Sequence, residues 1–362
     1  MPRIVRLLDT NLLKAAGVVL SASSAYASLP VRFLLDQLRS KPWRSALGWT
    51  VIAGAKDELA FIRGGNLVAT ILPGYYATGT EYAAAVVAAL ELADATPAWV
   101  CTYDSTTHKF TISSDLAFTL RTSLDQFVDV WKDMGYAVGS DTSSATTHTA
   151  DNAVYQGAHW ITADLGSAQQ ANATFLLDTN VSASGTVVLG SSATSIALAV
   201  AAPDQTVPLV GSGDLILEYG VGTLRYHAII IEDQGNSDGF AEVGIAFLGT
   251  YRQPSVSYSN DTGEEGDDLS EGEQATEGAI FADLRPEENA WTIDFQDIPE
   301  ADADLLRAHR EATPKFKCFG LAFDADVDNT DFLYGYRATA LPIKPSTAIY
   351  FHASFLFREA LP

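Results

Sequence analysis

Cysteine is nearly missing from this chain: Cys101 and Cys318 are the two in 362 residues. They lie far apart, so they make neither a disulfide framework nor the clustered ligands of a zinc site. Positive charge is scarce as well. There are 22 Lys and Arg against 45 Asp and Glu, a net charge of -23 and a pI near 4.4. Such a surface repels phosphate backbones, which disfavours nucleic acid as a partner, and it keeps a protein soluble at high local concentration. Long apolar runs are absent too. None reaches membrane-spanning length, and Ala15 to Leu20 is too short for a secretory core segment. The expectation is a protein kept in a cytoplasm, or assembled into a particle there, with no membrane insertion.

Catalytic constellations are also missing. The histidines are His108, His148, His159, His227, His309 and His352, and none pairs with another at metal-ligand spacing. There is no G-x-S-x-G elbow, Walker loop or dinucleotide fingerprint; Gly211-Ser-Gly213 reads as a plain turn. Cys101 follows Trp99 and Val100 in an apparent strand, and Cys318 lies between Lys317 and Phe319, so both read as inert thiols. No catalytic residue and no cofactor are assigned, and an enzyme is not expected. The best cation candidate is Asp324, Asp326, Asp328 and Asp331, whose alternate carboxylates suit a hard ion such as calcium. Asn329 stands where a calcium loop needs Gly and Gly335 where it needs Glu, so a polar turn is the plainer reading. Tyr75, Tyr76, Tyr155, Trp160 and Tyr251 offer a sugar platform or, more simply, core packing.

What is present is a mainly β, multidomain pattern. Two or three domains are expected at this length. Residues 1–48 and 156–256 read as one discontinuous β-sandwich. Their strands include Val18 to Leu20, Trp160 to Gly166, Ala173 to Leu177, Thr186 to Leu189, Tyr226 to Ile231 and Ala241 to Gly249. Residues 49–155 read as an inserted α+β module. A hairpin turns at Arg63 to Asn66, and a helix opens on the capping box of Thr78 and Glu81, with Tyr82, Val86 and Leu90 on one face. A second hairpin turns at Asp104 to His108, and a second helix starts at Ser123, capped by Gln126, and stops at Gly135. Residues 257–278 carry many carboxylates and no Lys or Arg, and are expected as an acidic linker. Residues 279–362 read as an α+β domain, with a helix over Pro299 to Thr313 and a final alternating strand from Ile349 to Phe357.

The joined ends carry a resemblance. Residues 20–45, LSASSAYASLPVRFLLDQLRSKPWRS, and residues 158–167, AHWITADLGS, together resemble the discoidin-like β-sandwich cut by an insertion. Tyr226 to Ile231, the turn Asp233 to Gly239 and the motif Glu242 to Gly249 resemble the closing strands of tail proteins of tailed bacteriophages. The hairpin Thr102 to Ser113 and the Trp131 to Tyr136 ending resemble a module recurrent in viral structural proteins. Pro314 to Phe319, Tyr334-Gly335 and Phe355 to Glu359 resemble the distal-tail or baseplate type. The resemblance implies a virion structural protein of a tail tip or baseplate, assembled in the host cytoplasm. It implies further copies of itself in a ring and other tail proteins as partners. The alternative is a carbohydrate-binding adhesion protein, with the loops Ser21 to Pro30 and Arg39 to Trp43 meeting a host-surface glycan.

Overall fold

The computed structural model describes residues 5–23, 25, 29–35, 41–46, 48–54, 56–124, 128–201, 203–208, 213–259, 262–267, 271–274, 280–283, 288–323 and 332–360. The protein is mainly β, with four α-helices among the described residues: α1 (Gly79–Ala93), α2 (Val128–Asp133), α3 (Ile196–Ala201) and α4 (Glu300–Ala312). Every strand pairing described is antiparallel, within one 13-stranded sheet, one 5-stranded sheet and three two-stranded ribbons.

The strand Val5–Asn11 lies in the middle of the large sheet. One edge pairs with Ile245–Arg252 and the other with Cys318–Phe323. Its side chains alternate between faces, as strand geometry requires. Val5 and Leu7 enter the core of the C-terminal part, with Phe295, Phe319 and Phe355. Leu8 faces the other way, among Phe175, Ile245, Phe247 and Tyr334. Residues 156–256 and the C-terminal part therefore share one sheet, and the first described strand joins them.

The two separated pieces that the sequence reads as one sandwich, residues 1–48 and 156–256, meet directly. Val19–Ala22 pairs with Ile161 to Asp164. Trp43–Arg44 pairs with Glu242–Val243, and Trp43 is fully buried among Leu34, Leu176 and Leu248. The expected strands Trp160 to Gly166 and Ala173 to Leu177 are two halves of one strand, His159–Thr179. It bends at an interruption of register between Asp164 and Gln169, where Gly166 has φ 75°. The first half pairs with Val19–Ala22, and the second with Ile245–Arg252.

Residues 49–154 have their own core. Trp49, Tyr82, Phe110 and Trp131 are buried in it with Phe61, Trp99 and Phe118. Five of these rings pack at 5.3–5.8 Å, Trp49 against Tyr82 and Phe110 and Phe61 against Trp99, within the range of favourable aromatic pairs. α1 starts as its sequence dictates. Thr78 Oγ1 accepts from Glu81 N–H at 3.2 Å, and Glu81 Oε2 accepts from Ala77 N–H at 2.8 Å. Val86 and Leu90 are buried beneath it, each contributing about 1.5–3 kcal/mol.

Three expectations need correction. The segment Gly157 to Pro254 is not all strand: α3 lies in it, with Ala199 and Val200 buried against Trp160 and Ile230. Short apolar runs rich in Ala do not distinguish a helical turn from a strand. The acidic stretch 257–278 is partly strand. Gly263–Asp267 pairs with Glu288–Pro299 at the edge of the large sheet, and Glu271–Gln274 pairs with Ile280–Asp283. Main-chain ladders need no apolar side chains, and charge on an edge strand opposes further pairing. Finally, Ser123 donates its hydroxyl to Asp141 Oδ1, and the described helix there begins at Val128; Gln126 lies outside the described residues.

Candidate interaction site

The module of residues 49–154 is fastened to the large sheet by a polar junction, and its centre is the end of α2. Gly135, at φ 80°, stops this helix. Its N–H donates to Lys132 O at 2.9 Å, and Tyr136 N–H donates to Trp131 O at 2.9 Å. These are the two bonds of a Schellman turn, and the accompanying apolar contact is Trp131 against Tyr136, with ring centroids 5.6 Å apart. The turn fixes Asp133, the last helical residue.

Asp133 is buried and fully used. Its Oδ1 accepts from Ala158 N–H at 3.0 Å and from Gln234 Nε2 at 2.8 Å. Its carbonyl accepts from Trp49 Nε1 at 2.9 Å. The two crossings of chain between insert and sandwich, at Trp49 and at Ala158, are thus both held by one residue. From the sandwich side the turn after Glu232 answers. Gln234 O accepts from Tyr155 N–H at 2.8 Å, and Asp233 O accepts from Gln156 Nε2 at 3.1 Å. Glu232 takes Lys132 at 3.2 Å and faces Lys56 at 4.0 Å, with the Lys56 side chain buried. Burial pushes the Glu232 carboxyl up, but Lys56 and Lys132 outweigh it and hold it below its usual value. His159 is buried beside this turn, with Nε2 2.7 Å from Gln156 Oε1. Burial first, and then the Lys56 charge, push its pKa down to about 3, so the ring is a neutral donor.

A second polar cluster ties α4 to the first strand. His309 Nδ1 lies 3.0 Å from Asp9 Oδ2, and Arg252 Nε donates to the same oxygen at 2.6 Å. Thr313 Oγ1 lies 3.3 Å from His309 Nε2. The order hydroxyl, imidazole, carboxylate is that of a nucleophilic triad. Here Thr313 and His309 are 0% exposed, and the Thr313 hydroxyl donates to His309 O at 2.7 Å. With its oxygen enclosed and its proton committed, the cluster is a fastening between elements.

On the insert's outer side, Leu72, Tyr75 and Tyr76 face Ala84, Ala88 and Leu92 of α1 across a groove of 760 Å³. Tyr76 OH donates to Leu72 O at 2.6 Å, and its ring packs 5.7 Å from Tyr82, so this wall is anchored to the core.

The residues singled out from sequence divide sharply. Asp324, Asp326, Asp328 and Asp331 lie outside the described residues. No group of three or more potential metal ligands converges among the described residues. Cys101 is half-buried, and burial pushes its thiol up to about 12; burial raises Cys318 as well. Neither has the lowered pKa of a reactive thiol. Of the aromatics, Trp160 is buried, Tyr155 packs against His108 with ring centroids 4.1 Å apart, and Tyr251 lies under Arg6 at 4.8 Å. Tyr75 and Tyr76 are the pair brought to a groove. The junction was missed because its residues, Asp133, Gln156 and Gln234, are scattered singly through the sequence. The one available signal was a polar turn, Asp233 to Gly239, entered directly from an apolar strand.

No protein-family model matches the chain, and no curated protein matches it in sequence.

Proposed function

We propose that this chain is a virion structural protein of a phage tail tip or baseplate, in which a discoidin-like sandwich and a C-terminal assembly domain carry an inserted module that docks a partner. The observation that carries the reading is the junction at Asp133. A module with its own core is clamped by hydrogen bonds, two of them buried, to a sheet that runs on into the C-terminal part. Such fastening transmits position from one surface to another, which an assembly component needs and an isolated binding domain does not. The pairing of Val19–Ala22 with Ile161 to Asp164 supports the finer reading of one sandwich interrupted by an insertion. The strongly acidic surface suits a component held soluble until it is incorporated.

Incorporation into a ring requires heterologous, closed contacts between copies. The test is direct. Light scattering on purified protein should give a closed oligomer, and antibodies against the chain should label tail tips of purified virions. A protein that stays monomeric at all concentrations and is absent from virions removes this reading. The glycan reading rests on the loops Ser21 to Pro30 and Arg39 to Trp43, of which residues 24, 26–28, 39 and 40 lie outside the described residues; Trp43 and Trp160 beside them are buried.

A further inference from the structure

We infer that the groove beside α1 receives an amphipathic helix from a different protein, apolar along one stripe and flanked by Lys or Arg. The groove's two walls are preformed and apolar. Leu72 is 76% exposed and Tyr75 47% on one side, and Leu92 is 86% exposed on the other. Large apolar side chains this open, gathered along one groove, mark an interaction surface rather than the scattered apolar residues of any exterior. Between them the outer face of α1 shows Ala84 and Ala88, both exposed, one turn apart in line with Leu92. Small residues at this spacing let a second helix approach closely, with larger side chains seating to either side. The 15-residue α1 gives a track of roughly 22 Å, four turns of partner helix.

Charge selects the occupant. Among the described residues Glu81 is the only charged one lining the groove. Glu91, exposed, lies on the same stripe, three residues after Ala88. Residues 49–100 contain two cations, and both are engaged: Lys56 is buried facing Glu232, and Arg63 is paired with Asp94. The rim is therefore acidic. A second copy seated groove to groove would set Glu81 and Glu91 against their own equivalents, so that self-contact is opposed and a basic partner favoured.

This inference deepens the docking role proposed above for the insert, yet it is tested without virions. A synthetic amphipathic helix with a Leu stripe and Lys flanks is titrated against the purified full chain, beside a twin in which every Lys is Glu. Binding of the basic peptide, weakened by salt, and none of the acidic twin is expected. The decisive variant is Ala88→Glu with Leu92→Glu. It changes the net charge from -23 to -25 (-23 minus 2), so general electrostatic attraction rises while the groove is blocked. At least a tenfold loss of affinity is expected; unchanged or tighter binding overturns the inference, as does equal binding of the acidic twin. If this variant unfolds, Leu72→Asp on the opposite wall makes the same test. Concentration-dependent self-association of the wild type that either substitution abolishes would assign the groove to a second copy instead, and would also overturn it. Failure of the peptide to bind leaves the virion reading standing, and unlabelled virions leave the groove standing.

Discussion

Asp133 Oδ1 lies 2.8 Å from Gln234 Nε2, a hydrogen bond across 101 residues of chain that joins the inserted module to the sandwich. The same oxygen takes the Ala158 N–H in a buried bond, while Gln234 is half-buried. Replacing Asp133 with Ala leaves both donors without an acceptor, at about 1–3 kcal/mol for the buried one and less for the other. Asp133→Asn keeps an acceptor oxygen and should lose less. Urea unfolding should show Asp133→Ala destabilised by about 2–4 kcal/mol. Limited proteolysis should then cut first near Trp49 or Ala158, where the module crosses into the sandwich. A variant with wild-type stability and cleavage pattern would show that the junction does not hold the module.

Gly135 sets the position of Asp133, and two separate constraints act on it. Its φ of 80° is strained for residues with a Cβ, and a Cβ there would lie 2.4 Å from Asn152 O, a backbone atom. Asn tolerates the first constraint and not the second. Gly135→Ala and Gly135→Asn should therefore both destabilise, by about 2 kcal/mol or more. Gly54, at φ 70°, has open space around it, and Gly54→Asn should cost under about 1 kcal/mol. Equal thermal shifts for Asn at the two positions would show that the contact with Asn152 is relieved by movement.

These two sites show what was legible in the sequence and what was not. Gly135 as a helix stop and the Thr78–Glu81 cap are local, decided within a few residues, and the structure has both where periodicity and capping chemistry put them. The stripe Tyr82, Val86 and Leu90 is local in the same sense. The register joining Val19–Ala22 to Ile161–Asp164 spans about 140 residues of sequence, and only the discoidin-like pattern hinted at it. The shared strand Val5–Asn11 had no such hint. Its residues VRLLDTN mix Val5, Leu7 and Leu8 with Arg6, Asp9 and Asn11, a pattern that does not show which two partners the strand serves. The acidic ribbon Gly263–Asp267 was misread for the opposite reason, since its pairing rests on main-chain bonds that leave no mark in composition. Of the groove, Tyr75 and Tyr76 were visible as aromatics; that Ala84, Ala88 and Leu92 face them depends on how α1 lies on its sheet.

Acid should weaken the fold before any carboxylate is protonated. His159 titrates at about 3 when folded against an ordinary 6.5, because burial disfavours its charged form. His309 is held below its ordinary value by burial, even though Asp9 pulls it upward. A folded pKa below the unfolded one means that the unfolded chain binds the extra proton. The stability is then fully present above 6.5 and is lost as pH falls, by about 1.4 kcal/mol per pH unit for His159. Asp9 and Glu232 are also lowered, by His309 and Arg252 and by Lys56 and Lys132 respectively, in both cases against burial. Their loss begins only near 3.8 and 4.5, below the interval from 6.5 to 5 in which the prediction is read. Urea midpoints should decline steadily from about pH 6.5 to about pH 5. In His159→Gln the slope should fall by about one proton, because an uncharged amide replaces the titrating ring. A flat profile across this range, or an unaltered slope in the variant, would mean that water or movement relieves the buried ring.

Phe316 carries backbone strain that substitution can isolate. It has φ 71°, the left-handed region, and its ring is 63% exposed between Lys315 and Lys317. The conformation is imposed by the turn out of α4, where Lys317 N–H donates to Pro314 O at 2.9 Å and Phe316 N–H to Arg337 O at 3.4 Å. A residue with a Cβ pays about 1–2 kcal/mol there, while Gly gives back part of that gain, about 0.5–1 kcal/mol, through the freedom of its unfolded state. Phe316→Ala keeps the strain and removes the ring, whose contact with Tyr336 at 5.7 Å is partial. Phe316→Gly removes both. The glycine variant should therefore be the more stable of the two by about 0.5–1 kcal/mol, read as the difference between their urea midpoints at constant m. Equal midpoints would mean that the turn relaxes out of the left-handed region once the ring is gone, and that the exposed aromatic itself holds the backbone in place.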